Sequence, residues 1–268
     1  MRFVKTRRPG QFKWLKKLLV FGLLCCGDFL PTGFGQDPLK AETDPLTPEI
    51  VLGKQLAWAQ RDMAPESDRE LDGWLKLRDA EGRRIEIPFR LKVHIDGLYW
   101  ESVYHAPGNA ERQTERVKIL RHPLEGAQYW KSLGETEDYH PTTIDERYGP
   151  FAGADFFPAD LGLEFFYWTD QKWEGSDRRK GRKCDVLVSS PAPNDNSSYS
   201  KVRSWIDHET QGLIAAEAYD LSGKEWKEFS IRRFKKVDGV WRLREIEILD
   251  QQKDTRTRIE FDLVFKSE

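Results

Sequence analysis

Cysteine is scarce in this chain: three in 268 residues, at positions 25, 26 and 184. Two of the three fall in the first 35 residues, so the rest of the chain has no pair to bridge and no disulfide framework. No apolar run approaches the length of about 20 residues that a membrane-spanning helix needs. The chain also has no glycine-rich loop for phosphate at a strand–helix junction, and Ser189-Ser190 lacks the glycine-framed elbow of a nucleophilic serine. Its five histidines (94, 105, 122, 140 and 208) are scattered, without the close spacing of metal ligands. No catalytic residue, metal ligand or cofactor site is therefore expected, and binding or carriage is favoured over catalysis.

Basic excess is missing as well, once the start of the chain is set aside. Residues 1–35 hold seven cations (Arg2, Lys5, Arg7, Arg8, Lys13, Lys16 and Lys17) and one acid, Asp28. They read as a basic n-region, an apolar stretch Leu18–Cys26 and small residues at Gly33 and Gly35, the layout of a secretory signal peptide. Cleavage there would leave 36 basic and 44 acidic side chains, a net charge of about −8. So acidic a chain excludes sequence-independent nucleic-acid binding. Two variants of export stay open: a lipobox at Leu23-Leu-Cys25-Cys26, acylating Cys26, and a twin-arginine signal at Arg7-Arg8. All routes lead out of the cytoplasm, to the periplasm or cell envelope. Cys184, flanked by Val186 and Val188 in the same phase, reads as a small core residue.

What is present is alternation. Residues 36–47, with Pro38 and Pro45, read as a flexible leader, and residues 48–268 as one domain. A helix starts at Thr47-Pro48-Glu49, with a capping residue, a first-turn proline and an acid at the positive end of the dipole. From Leu71 the period becomes two. In Arg83–Asp96, Ile85, Ile87, Phe89, Leu91, Val93 and Ile95 alternate with Glu86, Pro88, Arg90, Lys92, His94 and Asp96. Pro88, lacking an N–H, marks an edge or bulge. Turns at Asp96-Gly97 and Pro107–Asn109 lead into strands Leu98–His105 and Gln113–His122.

Pro123–Gln171 then interrupts the strands, and within it Pro158–Trp168 reads as a short helix. Leu161, Phe165 and Phe166 on that helix suit either a lid or an ordinary packed crossover. Strand Lys183–Ser190 follows a basic hairpin tip, Arg178–Lys183. Five further strands complete a meander: Lys201–Asp207, Leu213–Leu221, Trp226–Val237, Val240–Asp250 and Arg256–Phe265. Ten Trp and fifteen Phe in a chain that is 33% charged imply an aromatic inner face on that sheet, or apolar surface meant for a ligand.

The second half carries a family resemblance. Tyr199-Ser-Lys-Val-Arg-Ser-Trp-Ile-Asp-His-Glu-Thr-Gln-Gly212, Ala218-Tyr-Asp-Leu-Ser-Gly-Lys224 and Lys236-Val-Asp-Gly-Val-Trp241 are similar to the outer-membrane lipoprotein-sorting (LolA/LolB-like) family. Gly181-Arg-Lys-Cys-Asp-Val-Leu-Val188 and Thr255-Arg-Thr257 fit the same pattern, which covers roughly Pro48 to Phe265 and includes no catalytic residues.

The resemblance implies a mainly β (α+β) fold, a curved antiparallel sheet forming an incomplete barrel with covering helices. The residues themselves give about nine to eleven strands in that order. The function expected is an exported carrier or sensor of lipids or lipoproteins that holds an acyl chain in the half-barrel. Ile85, Ile87, Phe89, Leu91, Val93 and Ile95 are its candidate wall, and Leu161, Phe165 and Phe166 its candidate lid. An envelope membrane protein is a further candidate partner. The alternative is a non-enzymatic envelope module for protein interaction, with a filled core.

Overall fold

The computed structural model describes residues 47–237 and 240–263. The chain separates into two units, Met1–Thr43 and Asp44–Glu268, and all described residues belong to the second. The expected signal peptide, Cys26, all but the last residue of the leader, the Asp238-Gly239 turn and Val264–Phe265 lie outside the described residues.

Helix α1 (Pro48–Arg61) begins where the sequence places it, with Thr47 extended at the cap and Pro48 in the first turn. Thirteen strands follow: β1 Arg69–Arg78, β2 Arg84–Asp96, β3 Tyr99–Ala106, β4 Glu115–His122, β5 Gly126–Leu133, β6 His140–Pro141, β7 Asp170–Arg179, β8 Arg182–Ser190, β9 Lys201–Asp207, β10 Leu213–Tyr219, β11 Glu225–Val237, β12 Val240–Asp250 and β13 Thr255–Phe261. They form one antiparallel sheet in the order β6-β5-β4-β3-β2-β1-β13-β12-β11-β10-β9-β8-β7. Every neighbour but one is also a neighbour in sequence. The exception, β1 against β13, joins two meanders into one curved, open sheet, with Gly73 opposite Phe261 at the seam. The fold class is the one expected.

The sheet stays open because its two edges are unlike and both are blunted. β6 is two residues long, and β7 lies under α1. That helix packs closely: a Cβ on Gly53 would sit 2.5 Å from the carbonyl oxygen of Gln171 in β7. Register shifts at Ala218/Tyr219, Leu213/Ala215, Ile231/Arg233 and Trp173/Gly175 bend the strands concerned.

Two expectations are corrected. The interruption at Pro123–Gln171 is shorter than read, because β5 and β6 continue the first meander before the chain leaves the sheet, and β7 begins at Asp170. The helix read over Pro158–Trp168 is two pieces, α3 (Pro158–Leu161) and a 3-10 turn, Glu164–Tyr167. Leu163, left-handed at φ 51°, breaks the run between them. A short α2 (Ile144–Arg147), closed by a reciprocal Thr143–Glu146 capping box, precedes them.

Pro88 pairs with Trp74 of β1 but lies beyond the last β2–β3 pair, Arg90 with His105, so on that side β2 is an edge, where a proline is tolerated. The same geometry exposes Ile85 (59%) although it alternates in phase with buried Ile87, Phe89, Leu91 and Val93. Those four join Tyr104, Val117, Ile119, Ile259, Phe261 and the loop residues Phe151 and Phe156 in one core. A second core gathers Leu56 and Ala57 of α1, Phe157, Phe165, Phe166 and Trp168 between β6 and β7, Leu187 of β8, Tyr199 of the loop after it and Val202 of β9. Cys184 is fully buried with Val186, Trp205 and Ile214, and burial pushes its thiol pKa up.

Candidate functional site

The inner face of the sheet and the segment that crosses it (Phe151–Tyr167) do not meet everywhere. Between them lies a cavity of about 440 Å³, within the range of a small-molecule site. Its floor is built by alternation on five strands: Leu91 of β2, Tyr104 of β3, Phe229 and Ile231 of β11, Ile246 of β12 and Phe261 of β13. Phe156, Leu161 and Leu163 form its roof. Glu66, Ser67, Asp68, Arg69 and Glu70, just before and within β1, line it with Arg242 of β12 and give it a charged, solvent-facing margin. Beyond Leu163 a smaller space of about 20 Å³ shares Asp160, Leu213 and Phe229 with the large one and reaches Lys227. It has room for about one water. A wider depression of about 500 Å³ at Val51, Lys54 and Trp58 is open surface on α1.

The roof is held by polar struts from the floor. Lys227, 2% exposed on β11, donates to Asp160 Oδ2 (3.0 Å) and to the Asp155 carbonyl (2.7 Å), and its ammonium stands 2.8 Å from the centre of the Phe157 ring. Burial lowers the lysine's pKa while Asp160 opposes that shift. Asp160 also accepts from the Tyr199 hydroxyl (2.8 Å) and the Phe157 amide (2.9 Å). Asp155 accepts from the hydroxyls of Thr255 (2.6 Å) and Thr257 (2.9 Å) on β13, and burial raises its pKa. Arg121 of β4 donates to the Leu161 carbonyl at 2.5 Å. Asp155 and Asp160, two carboxylates near aromatic rings in the sequence, are thus both committed to internal partners.

Of the residues singled out in the sequence, Leu91 and Leu161 line the large cavity, and Phe165 lines the small one. Ile87, Phe89 and Val93 are buried in the first core beside it but do not line it. Ile95 is half-buried near the end of β2, and Ile85 is exposed. Phe166, 1% exposed, packs in the second core against Phe165, with ring centres 4.5 Å apart. Sequence reasoning missed Lys227 and Arg121. The available signal was phase: Lys227 shares its side of β11 with Phe229 and Ile231, and Arg121 its side of β4 with Val117 and Ile119. Among the described residues, no three His, Cys, Asp or Glu side chains assemble into a metal-binding group, and no helix is long and apolar enough to cross a membrane.

A family model described as "Uncharacterized protein" matches residues 109–266. No curated protein matches the chain. A DUF1329 family protein from Desulfovibrio piger superposes with a TM-score of 0.67 at 18% identity, over 81% of this chain and 92% of that one. An outer membrane lipoprotein-sorting protein domain from Vibrio parahaemolyticus gives 0.67 at 20% identity, over 81% and 94%. A LolA superfamily protein from Nitrosomonas europaea gives 0.57 at 13% identity, over 78% and 91%.

Proposed function

We propose a function on the premise that this chain belongs to the family whose model spans residues 109–266, described as "Uncharacterized protein", and has the fold of outer-membrane lipoprotein-sorting domains: it is an exported carrier that shelters an acyl chain between sheet and covering segment. In this reading residues 1–35 are a cleaved signal, 36–47 a tether and 48–268 the carrier domain, working in the periplasm or envelope.

The observation that carries the reading is the cavity of about 440 Å³ with apolar floor and roof. A filled interior, which an interaction module without a ligand would have, leaves no such space. Each methylene moved from water into the cavity contributes about 0.8 kcal/mol, so ten contribute about 8 kcal/mol, enough to offset the ordinary cost of immobilising a guest. Leu91 and Leu161 contribute wall and roof. Ile87, Phe89 and Val93 pack beside the floor and stiffen it, and Phe165 and Phe166 anchor the roof to the second core. The reading is non-catalytic: the acids and bases near the roof serve as struts for each other. Release requires the covering segment to lift, and a membrane partner in the envelope would provide the acceptor.

Solvent extraction of the purified protein followed by mass spectrometry tests the proposal. The expected result is one acyl-bearing molecule per chain, restored on incubating stripped protein with the extract. Protein that emerges free of lipid and takes none up contradicts it.

A further inference from the structure

Two of the cations around the cavity lack an acidic partner among the described residues. Four acids line it, and each has a basic group beside it: Glu66 with Arg242 (3.3 Å), Asp68 with His94 (2.6 Å), Glu70 with Arg90 (3.0 Å), which Asp72 shares at 2.7 Å, and Asp160 with Lys227 (3.0 Å). Three arginines line it too. Arg242 is taken by Glu66, while Arg69 and Arg121 have no carboxylate within ion-pairing distance among the described residues. These two guanidiniums are the lining cations left without an acidic partner, although Arg121 also donates to the Leu161 carbonyl.

Both share the phase of inward-facing residues, Arg121 along β4 and Arg69 at the exposed start of β1. Arg121 continues the inward stripe Val117, Ile119 on β4. Arg69 opens β1 opposite Val93, which is 5% exposed and faces inward. One Arg121 amine is used by the Leu161 carbonyl, but its Nε is buried with no partner at all. A buried guanidinium nitrogen left unpaired is costly, and this one belongs to a residue that lines the cavity, where an anionic group of a guest would complete it. Tyr104 of β3 lines the cavity with them, and both guanidiniums act on its hydroxyl. Two forked donors and a phenol lining one largely apolar space match a carboxylate or phosphate at the end of an acyl chain.

We propose that the guest is an anionic amphiphile, its carboxylate or phosphate head bound by Arg121, Arg69 and Tyr104 and its tail lying along Leu91, Phe261 and Ile246. This rests on the carrier reading above and narrows it: the cavity selects for charge as well as for grease. Neutral esters and alcohols of the same chain length are discriminated against, because they leave the guanidiniums unpaired.

The test uses stripped full-length protein loaded with the uncharged dye N-phenyl-1-naphthylamine, which reports the apolar space without engaging the arginines. Palmitate, 1-palmitoyl lysophosphatidic acid, methyl palmitate and hexadecanol are compared as displacers. At least one of the two anions is expected to displace the dye about tenfold more tightly than either neutral compound. The tighter of the two identifies the head as carboxylate or phosphate. Arg69→Gln, at an exposed position that the fold does not depend on, and Arg121→Gln are expected to lower anion affinity selectively. Arg121→Lys is expected to retain part of the preference. Equal displacement by anions and neutral compounds in the unaltered protein overturns this inference and leaves the carrier standing. Failure of the dye and of every displacer to bind removes the carrier itself.

Discussion

Lys227 and Asp160 form an ion pair at 3.0 Å inside the molecule, one on the floor of the half-barrel and the other in its roof. A lysine 2% exposed is tolerated there because its three donors meet a carboxylate, a carbonyl and an aromatic face. Removing one member of a buried pair strands the other charge, at about 3–5 kcal/mol. Lys227→Met is therefore expected to lower unfolding stability by about that amount, measured as a shift in urea midpoint, and Lys227→Met with Asp160→Asn by less. Equal losses in the single and double variants would mean that the pair does not hold the roof.

Filling the space should separate stability from binding. Leu91→Trp places a large ring where the cavity offers room, so its thermal midpoint is expected to fall little while lipid uptake drops at least about tenfold. Phe89→Trp, two residues along the same strand in filled core beside Phe261, is expected to cost about 1–3 kcal/mol of stability. Calorimetry and lipid uptake on the two variants distinguish the positions.

Asp207 supplies a pH signature outside the site. Its carboxylate, 2% exposed, accepts a forked bond from Arg182 at 2.8 and 2.7 Å and two more from Thr210, which holds its pKa well below the usual carboxylate range. A depressed folded pKa gives stability that is complete above the unfolded value, near 3.9, and is lost as pH falls below it. With Arg182 partly in solvent the effect is discounted to about 2 kcal/mol. Asp207→Asn should be less stable by that amount at pH 7 and approach the parent as pH drops below about 4. A gap that stays constant from pH 7 to 3 would refute the account.

Docking of α1 on the sheet edge depends on Gly53, whose missing side chain lets the helix lie on the Gln171 backbone. Gly53→Ala improves helix propensity by about 1 kcal/mol, yet the forced separation should outweigh it and give a net loss of about 1–3 kcal/mol. Near-neutral stability in chemical denaturation would show that the helix is free to shift.

Much of this was legible in the sequence. The alternation in β2 and β13 and the turn residues around β3 and β9–β12 specify strands locally, and local order was read correctly. β7 was hidden because it is polar on both faces and is broken by the bulge at Trp173/Gly175. β5 was hidden because only Tyr129 and Ser132 in it are buried. Ile85 illustrates the limit of period two: phase says which way a residue points, but whether a neighbouring strand extends far enough to cover it is a non-local fact. The break at Leu163 depends on a left-handed leucine, which propensity alone argues against. Lys227 and Arg121 were passed over because cations in strands ordinarily face water. Their inward phase, against that habit, was the available clue to the site.

The central claim, an acyl guest between floor and roof, is tested most directly by locating the guest. Stripped protein is photolysed with palmitate carrying a diazirine at its tail and mapped by peptide mass spectrometry. The account predicts adducts on peptides containing Leu91, Ile246 and Phe261, suppressed by unlabelled palmitate. Adducts confined to the open face of α1 around Val51 and Trp58, or adducts that palmitate does not suppress, would contradict it.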